Sequence, residues 1–214
     1  MSKLTVSKKK SIYSPHPSLE YARNVIAKME KNTGRRLDDW VELARAKGPK
    51  TDEKRREWLR KTHGLGTNHA GWISERSFGK GEELIDEARY LEQAEQYVED
   101  LFSGARAGLR PIYDELLAVV FALGRDIRVS PCQTFVPVFR KFAIAQIKPS
   151  TRTRVDLGLA LGRFGGKLPK RLIDTGGAAK KDRITHRIEL SSREQVEGDA
   201  VKWLETAYEL DGEK

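Results

Sequence analysis

The sequence has few of the residues that form metal clusters, disulfides or membrane spans. Cys132 is the single cysteine among 214 residues, which excludes an internal disulfide and a cysteine-based zinc site. No apolar run approaches the ~20 residues of a membrane span, and the opening stretch MSKLTVSKKK lacks the apolar segment of a secretory signal. These absences favour a cytoplasmic protein with no membrane contact.

The sequence also lacks the motifs of common enzymes. The stretch GLGTN at 64–68 has neither the G-K-[ST] ending nor the preceding strand of a P-loop. His63 and His69 are six residues apart across a helix break, which excludes the i, i+4 spacing of a helical metal site. No Asp, Glu and Lys occur at nuclease spacing, so we predict no catalytic residue, metal or cofactor. The enzyme hypothesis that stays open uses His186 or Asp156.

Positive charge is abundant and unevenly distributed. The formal net charge is +9. Residues 1–80 carry +10, residues 81–110 carry −5, residues 111–190 carry +8 and residues 191–214 carry −4. Basic surfaces attract phosphate-bearing partners over a long range. The two basic blocks therefore favour DNA or RNA as a partner, although an ordinary solvated surface has the same composition.

Helical periodicity and glycine positions predict the domain organisation. Residues 1–17 read as a disordered basic tail, 18–80 as a small helical domain, 81–104 as a connecting helix and 105–214 as an α+β domain. The helical domain is predicted to hold four short helices joined by glycine corners. Its predicted helix limits are Asn32–Gly34, Gly48, Thr51 as a cap, Gly64 and Asn68.

The second half alternates between helix and strand patterns. RPIYDELLAVVFALG reads as a helix closed by Gly124, and TFVPVFR, KFAIAQI, RTRVDLGLAL and ITHRIEL read as strands. Residues 162–183, rich in glycine and lysine, read as a long loop, and a last helix is predicted from about Ser192. Strands grouped between helices indicate an antiparallel sheet flanked by helices, which is an α+β fold.

The connecting segment, 81–104, is predicted to be a helix opening at GKGEE with a broken apolar seam. Leu84, Ala88, Leu91, Val98 and Phe102 follow the seam spacing, but Glu95 occupies the missing position. We therefore expect a helix packed on one side. Its acidic surface makes a homo-oligomer or a protein partner through 81–102 an open alternative.

The first half resembles a small bacterial helical domain of unknown function. The hallmarks are a K-T-G step, a following aromatic residue and a G-L-G-x-x-H-A corner. They are matched here by Asn32, Thr33, Gly34, Trp40, Gly64, Leu65, Gly66, His69 and Ala70. Asn68 replaces the glycine that usually precedes the histidine, and asparagine tolerates the left-handed backbone of such a corner.

The second half resembles an uncharacterised domain loosely labelled a predicted transport protein. The matching stretches are LRPIYDELLAVVFALG, RKFAIAQIKP, VDLGLAL, THRIEL and WLETAYE. The strand pattern is also similar to double-wing proteins related to frataxin, for which DNA binding has been proposed. The resemblance implies a two-domain protein with no assigned activity.

A helix, a glycine corner and a second helix also form the helix-turn-helix plan. The second helix offers few base-reading side chains, so the predicted nucleic-acid contact is non-specific and directed at phosphate. The predicted contact residues are Lys54, Arg55, Arg56, Asn68, His69, Arg76, Arg140, Lys141, Arg152, Arg154, Lys167, Lys170, Arg171, Lys180, Lys181 and Arg183.

Three further expectations concern the strands. Phe139 and Phe142 interleave with basic residues in the manner of base-stacking surfaces, but inward packing fits them better. Arg154 with Asp156, and Arg187 with Glu189, are spaced as charge pairs. His186 shares the apolar face of its strand.

The alternative to nucleic-acid binding is a protein-interaction or small-ligand adaptor.

Overall fold

The computed structural model describes residues 11–212, which contain eight α-helices and six β-strands. The fold class is therefore α+β, as predicted. The contacts divide the chain within the helix at Glu87–Leu101: Pro15–Gln93 form a helical unit, and Ala94 onward, with the described residues before Pro15, form an α+β unit. None of the helices within residues 11–212 is long and apolar enough to cross a membrane.

The helical unit contains five helices. They are α1 (Ser18–Ala27), α2 (Met29–Thr33), α3 (Leu37–Lys47), α4 (Asp52–His63) and α5 (Thr67–Ser77). Because α5 packs against both α3 and α4, it is the centre of the unit. The core residues are Met29, Leu37, Trp40, Val41, Ala44, Leu59, Leu65, Ala70 and Ile73.

The first predicted helix is divided in two. The break lies at Lys28, whose N–H bonds back to the carbonyl oxygens of Val25 and Ile26. The turn brings Met29, which is fully buried, into the core. Periodicity continues through such a break, so it does not reveal the break in advance.

The connecting helix is shorter than predicted, and its buried residues differ in part from the predicted seam. A 3₁₀ turn at Glu82–Leu84 precedes α6 (Glu87–Leu101). The buried positions of α6 are Tyr90, Ala94, Val98 and Leu101, whereas Ala88, assigned to the predicted seam, is exposed. Of the predicted seam, Val98 and Phe102 are buried as expected, whereas Ala88 is not.

The α+β unit is built on a six-stranded antiparallel sheet. Its strands are β1 (Arg128–Val129), β2 (Val136–Phe139), β3 (Ala143–Pro149), β4 (Val155–Leu159), β5 (Ile173–Asp174) and β6 (His186–Leu190), in the order β1-β2-β3-β4-β6-β5. The two helices of this unit after α6 are α7 (Arg110–Ala122) and α8 (Asp199–Gly212). Helix α8 packs on β3 and β4.

The register sorts the side chains of the sheet into two faces. Ile147, Leu157 and Ile188 lie directly opposite one another and enter the same core as Trp203 of α8. Lys148, Asp156 and Glu189 form the neighbouring row and lie on the other face. The sheet therefore has an apolar face under α8 and a polar face away from it.

Three local features differ from the sequence expectation. The two-residue edge strands β1 and β5 were not predicted, and β5 lies inside the segment expected to be loop. Ser192 precedes a 3₁₀ turn at Arg193–Val196, and α8 begins only at Asp199. Such short elements contain too few residues to show a period.

Part of the predicted disordered tail is packed. The hydroxyl of Tyr13 lies 3.1 Å from that of Tyr113, and the Ser14 N–H donates to the Val129 carbonyl at 2.8 Å. Tyr113 is fully buried, so its hydroxyl needs a protein partner. Burial raises the pKa of both tyrosines. Residues 1–10 of the predicted tail lie outside the described residues.

Candidate nucleic-acid interface

The glycine corner between α4 and α5 is a packed joint. Gly64 has φ +66°, a left-handed conformation, and Gly66 precedes α5 in an extended one. The ring of His63 meets the edges of Trp58 and Trp40, with centroids 4.6 and 5.3 Å away. The two hallmark glycines, together with the neighbouring His63, therefore shape the corner itself.

The step at Asn32, Thr33 and Gly34 serves the same core. The Trp40 Nε1–H donates to the Thr33 hydroxyl oxygen at 2.8 Å, and that hydroxyl donates to the Met29 carbonyl at 2.8 Å. Gly34 ends α2 with φ +76°. The side chain of Thr51, predicted as the cap of α4, makes no capping hydrogen bond there.

Arg55 cannot make the phosphate contact predicted for it. It is only 6% exposed, and its guanidinium donates to the Pro49 carbonyl at 2.8 Å and the Ser77 hydroxyl at 2.5 Å. The same guanidinium lies 4.0 Å from the centroid of the Phe78 ring. The charge is thus used inside the helical unit, while the adjacent Lys54 is exposed.

Arg56 is held between carboxylates. Its Nε lies 2.8 Å from Asp52 and its Nη2 lies 2.7 Å from Glu75. The hydrogen bond to Asp52 is the main cause that raises the pKa of Arg56. The other oxygen of Asp52 accepts a hydrogen bond from the buried Ser74 at 2.7 Å.

The remaining predicted contacts on α5 are not gathered into a basic surface. Asn68 is exposed and donates weakly to the Tyr21 hydroxyl at 3.4 Å. His69 and Arg76 are half-buried, and desolvation lowers the pKa of Arg76. Since α5 packs on two helices and keeps Glu75 close by, its predicted contact residues do not form a basic surface.

In the α+β unit, Arg154 belongs to a network on the polar face of the sheet. Arg154 lies 2.8 Å from Asp156 and 3.0 Å from Glu189. Arg187 lies 3.1 Å from Glu189 and 3.5 Å from Asp156, and Ser150 donates to Asp156 at 2.7 Å. The two charge pairs seen in the sequence thus form one connected group, and Arg154 is committed to it.

Arg140 is also occupied. Its Nε lies 2.8 Å from Asp126, its Nη1 donates to the Tyr208 carbonyl at 3.0 Å, and its guanidinium lies 4.0 Å from the Tyr208 ring centroid. Hydrogen bonds from Arg140 and then Tyr208 hold the pKa of Asp126 below its usual value. Arg140 therefore anchors the turn between β2 and β3 to α8.

Asp211 brings two of the predicted residues together. One oxygen of this buried carboxylate accepts the N–H groups of Lys141 and Phe142 at 2.8 and 2.9 Å, and the other accepts Arg183 at 2.7 Å. Arg183 and Lys141 are far apart in sequence and meet through a residue that no motif marks. Asp211 is therefore a positioning residue that sequence analysis missed.

Phe142 points outward, contrary to the inward packing expected of it. Its side chain is 49% exposed. The Arg183 guanidinium lies 4.6 Å and the Lys141 Nζ 5.7 Å from its ring centroid. An irregular register between Val138 and Phe139 ends the regular pairing before this turn, so the alternation of faces does not extend to Phe142.

The segment 162–183 holds most of the predicted contact cations that are exposed and have no carboxylate partner. It contains seven basic and two acidic residues, a net charge of +5. Lys167, Lys170, Arg171, Lys180 and Lys181 are exposed, as is Arg152 outside the segment. Across residues 11–212 none of these six has a carboxylate partner. Both acids of the segment, Asp174 and Asp182, accept nearby backbone N–H groups.

The surroundings of His186 and Asp156, the two residues of the enzyme hypothesis, do not show an arrangement typical of catalysis. His186 lies opposite Leu159, and its Nδ1 is 3.0 Å from the Thr185 hydroxyl. Asp156 is enclosed by its arginines. Burial raises the pKa of Cys132 to about 11, so the thiol is a poor nucleophile. Residues 11–212 contain no group of three or more side chains that could hold a metal ion.

Comparison with known families finds one match on each unit. The model described as "Domain of unknown function (DUF5655)" matches residues 98–211. The model described as "Domain of unknown function (DUF4287)" matches residues 22–75. No curated protein and no solved structure matches the chain. The matches fit a two-domain protein of unknown function.

Proposed function

The chain belongs to the family described as "Domain of unknown function (DUF5655)". Because that family has no assigned activity, we propose a function from the charged surface of the chain. The protein binds nucleic acid without sequence preference, through phosphate contacts made by the α+β unit. The contact surface is the segment 162–183, named here the basic segment. Nucleic acid is the partner because phosphate is the anion that dense, exposed lysine and arginine attract most strongly at long range.

The observation that carries this proposal is that five cations of the basic segment are exposed and unpaired. Lys167, Lys170, Arg171, Lys180 and Lys181 are exposed and have no carboxylate partner within residues 11–212. A lysine already paired with a carboxylate gains little from a phosphate, whereas an unpaired one releases a counterion when it binds. The predicted residues of the helical unit contribute less, because Arg55 is buried and Arg56 is paired.

Binding should be non-specific. Lysines and arginines on a glycine-containing segment contact phosphate in many orientations, and no helix of the α+β unit presents a row of exposed base-reading side chains. The proposal therefore predicts similar affinity for unrelated sequences and a steep loss of affinity with salt.

A fluorescence-anisotropy titration tests the function directly. Labelled duplex and single-stranded oligonucleotides of unrelated sequence are titrated with protein at about 50 mM and about 200 mM salt. We expect saturable binding at low salt that weakens at least tenfold at the higher salt. Absence of binding to every oligonucleotide at low salt would overturn the proposal and favour the adaptor alternative.

A further inference from the structure

Two hollows lie along one side of α8 in the α+β unit. The larger, about 460 Å³, is lined on the helix by Asp199, Lys202, Trp203 and Thr206. The smaller, about 120 Å³, is lined on the helix by Ala207, Leu210 and Asp211. These positions recur every three or four residues, so they form one stripe of the helix.

The opposite wall is also continuous in sequence. Phe164, Lys167, Leu168 and Pro169 line the larger hollow, and Gly162 and Arg163 line the smaller. The linings of the two hollows are adjacent in sequence, since Arg163 precedes Phe164 and Thr206 precedes Ala207. We call the two hollows together the α8 groove. From Asp199 to Asp211 it follows the helix for about 18 Å, at 1.5 Å per residue.

The groove combines positive charge with flat apolar surface. Lys167 and Lys202 are exposed on either side of the larger hollow. The half-buried Phe164 ring stands edge-on to Trp203, with centroids 5.2 Å apart. At the other end Arg183 lines the smaller hollow and also contacts the exposed ring of Phe142. Three carboxylates also line the groove. Asp199 lines the larger hollow, whereas Asp182, which accepts a backbone N–H, and Asp211, which is paired with Arg183, line the smaller.

We propose that the α8 groove binds a single strand of nucleic acid, in preference to a duplex. This inference rests on the proposed function and specifies its ligand. A positively charged groove with aromatic side chains is how proteins hold single strands, since the strand offers phosphate on one side and unstacked base faces on the other. A duplex keeps its base faces inside its own stack, so Phe164 and Phe142 gain nothing from it.

The dimensions suit a short strand. A stacked strand rises about 3.4 Å per nucleotide, so about 18 Å accommodates roughly five nucleotides, and fewer if the strand is extended. The larger hollow, about 460 Å³, falls within the range of roughly 300–1,000 Å³ typical of small-molecule sites, which is room for unstacked bases.

Competition between single-stranded and duplex oligonucleotides on the full chain tests the inference. We expect a single strand of about ten nucleotides to bind at least tenfold more tightly than the corresponding duplex. Phe164→Ala should weaken single-strand binding about tenfold, the size of one base–aromatic stack, and leave duplex binding unchanged. Equal affinity for both forms, or equal losses for both with Phe164→Ala, would overturn the inference.

A second pair of variants guards against misfolding of Phe164→Ala. Lys202→Gln removes a charge at the groove, and Lys148→Gln removes the same charge from the polar face of the sheet. Only Lys202→Gln should lower single-strand affinity, by severalfold, and reduce the salt slope by about 0.7. Equal behaviour of the two variants would contradict the groove. Duplex binding that persists with no single-strand preference would refute the inference alone, whereas no binding at all would refute the proposed function as well.

Discussion

At the scale of single residues, burial decides what a positive charge can do. Lys54 and Arg55 are neighbours of equal formal charge, but Lys54 is exposed whereas Arg55 is buried, with only 6% exposure. Arg55 satisfies a carbonyl and a hydroxyl inside the helical unit and stacks on Phe78. The function of Arg55 is structural, although an arginine at this position suggests a phosphate contact when only the sequence is known.

Replacing Arg55 should destabilise the helical unit. Arg55→Met removes two charged hydrogen bonds and leaves the Ser77 hydroxyl without its donor, so we expect a loss of about 2 kcal/mol in the free energy of unfolding. Lys54→Met, the matched control, should change it by less than about 0.5 kcal/mol. Urea unfolding followed by tryptophan fluorescence measures both. Equal effects would show that Arg55 is not buried as described.

Asp211 illustrates the same rule for a carboxylate. Asp211→Asn places an amide NH₂ against either the N–H pair of Lys141 and Phe142 or the Arg183 guanidinium, all of which are donors. We expect a loss of about 2 kcal/mol in unfolding free energy. Amide hydrogen exchange at Lys141 and Phe142 should become faster. The exposed neighbour Glu209 provides the control, because Glu209→Gln should leave exchange at those amides unchanged.

Cys132 should react slowly in the folded protein. Burial raises its pKa to about 11, so below that pH the thiol is protonated and the thiolate fraction is small. At about pH 8 we expect reaction with a disulfide reagent to be roughly 100-fold slower than in the unfolded chain, whose thiol has a pKa of about 8.5. A chromogenic thiol assay with and without denaturant measures the ratio. Similar rates would contradict the burial.

At the scale of elements, the glycine corners are determined by local sequence, whereas the buried face of a helix is determined by what packs against it. The glycine corner at 64–66 is a local feature, because a left-handed residue after α4 is what a glycine at that position predicts. The orientation of α6 is not local. Tyr90 and Ala94 are buried and Ala88 is exposed because of what packs against the helix, and an interrupted apolar pattern permits either orientation.

Gly64 provides a test at this scale. Its φ is +66°, and a Cβ added there would meet nothing within 4 Å, so the effect of substitution is purely conformational. Gly64→Ala should lower the free energy of unfolding by about 1 kcal/mol. Gly64→Asn should lower it less, since asparagine tolerates the left-handed region better. Thermal unfolding compares the two, and an alanine variant as stable as the asparagine variant would contradict the assigned backbone conformation.

At the scale of the whole molecule, the placement of charge matters more than its total. The net charge is +9, yet many of the arginines predicted as contacts serve ion pairs or the core. The exposed acidic side of α6, with Glu92, Glu95 and Glu99, leaves protein association through 81–102 as a prediction. Its apolar side is already buried within the described chain.

Two variants that lose the same charge in different units test whether the position of the charge matters. The variant Lys170→Gln, Arg171→Gln, Lys180→Gln and Lys181→Gln should reduce the salt slope of single-strand binding by about 3, at about 0.7 per lost phosphate contact. The control variant replaces four exposed lysines of the helical unit, Lys28, Lys31, Lys47 and Lys50, with glutamine. It has the same net charge and should retain most of the affinity. Equal losses would show that binding depends on total charge and not on the basic segment.

The fold class follows from the sequence because it depends on local patterns. Alternation in Val155, Leu157 and Leu159 predicts a half-buried strand, the structure pairs these residues with β3 and β6, and glycines predict the ends of α2 and α4. Each signal arises from residues within one or two turns, or within one strand, of each other. The α+β architecture needed nothing more.

The identity of the free cations was decided only by tertiary structure. Arg55 is buried because α4 packs against α5, and Arg183 meets Phe142 because Asp211 at the far end of the chain binds both segments. Contacts between residues so distant in sequence leave no periodic trace. The composition predicts a partner that carries phosphate, and the packing determines which of the charged side chains are available to contact it.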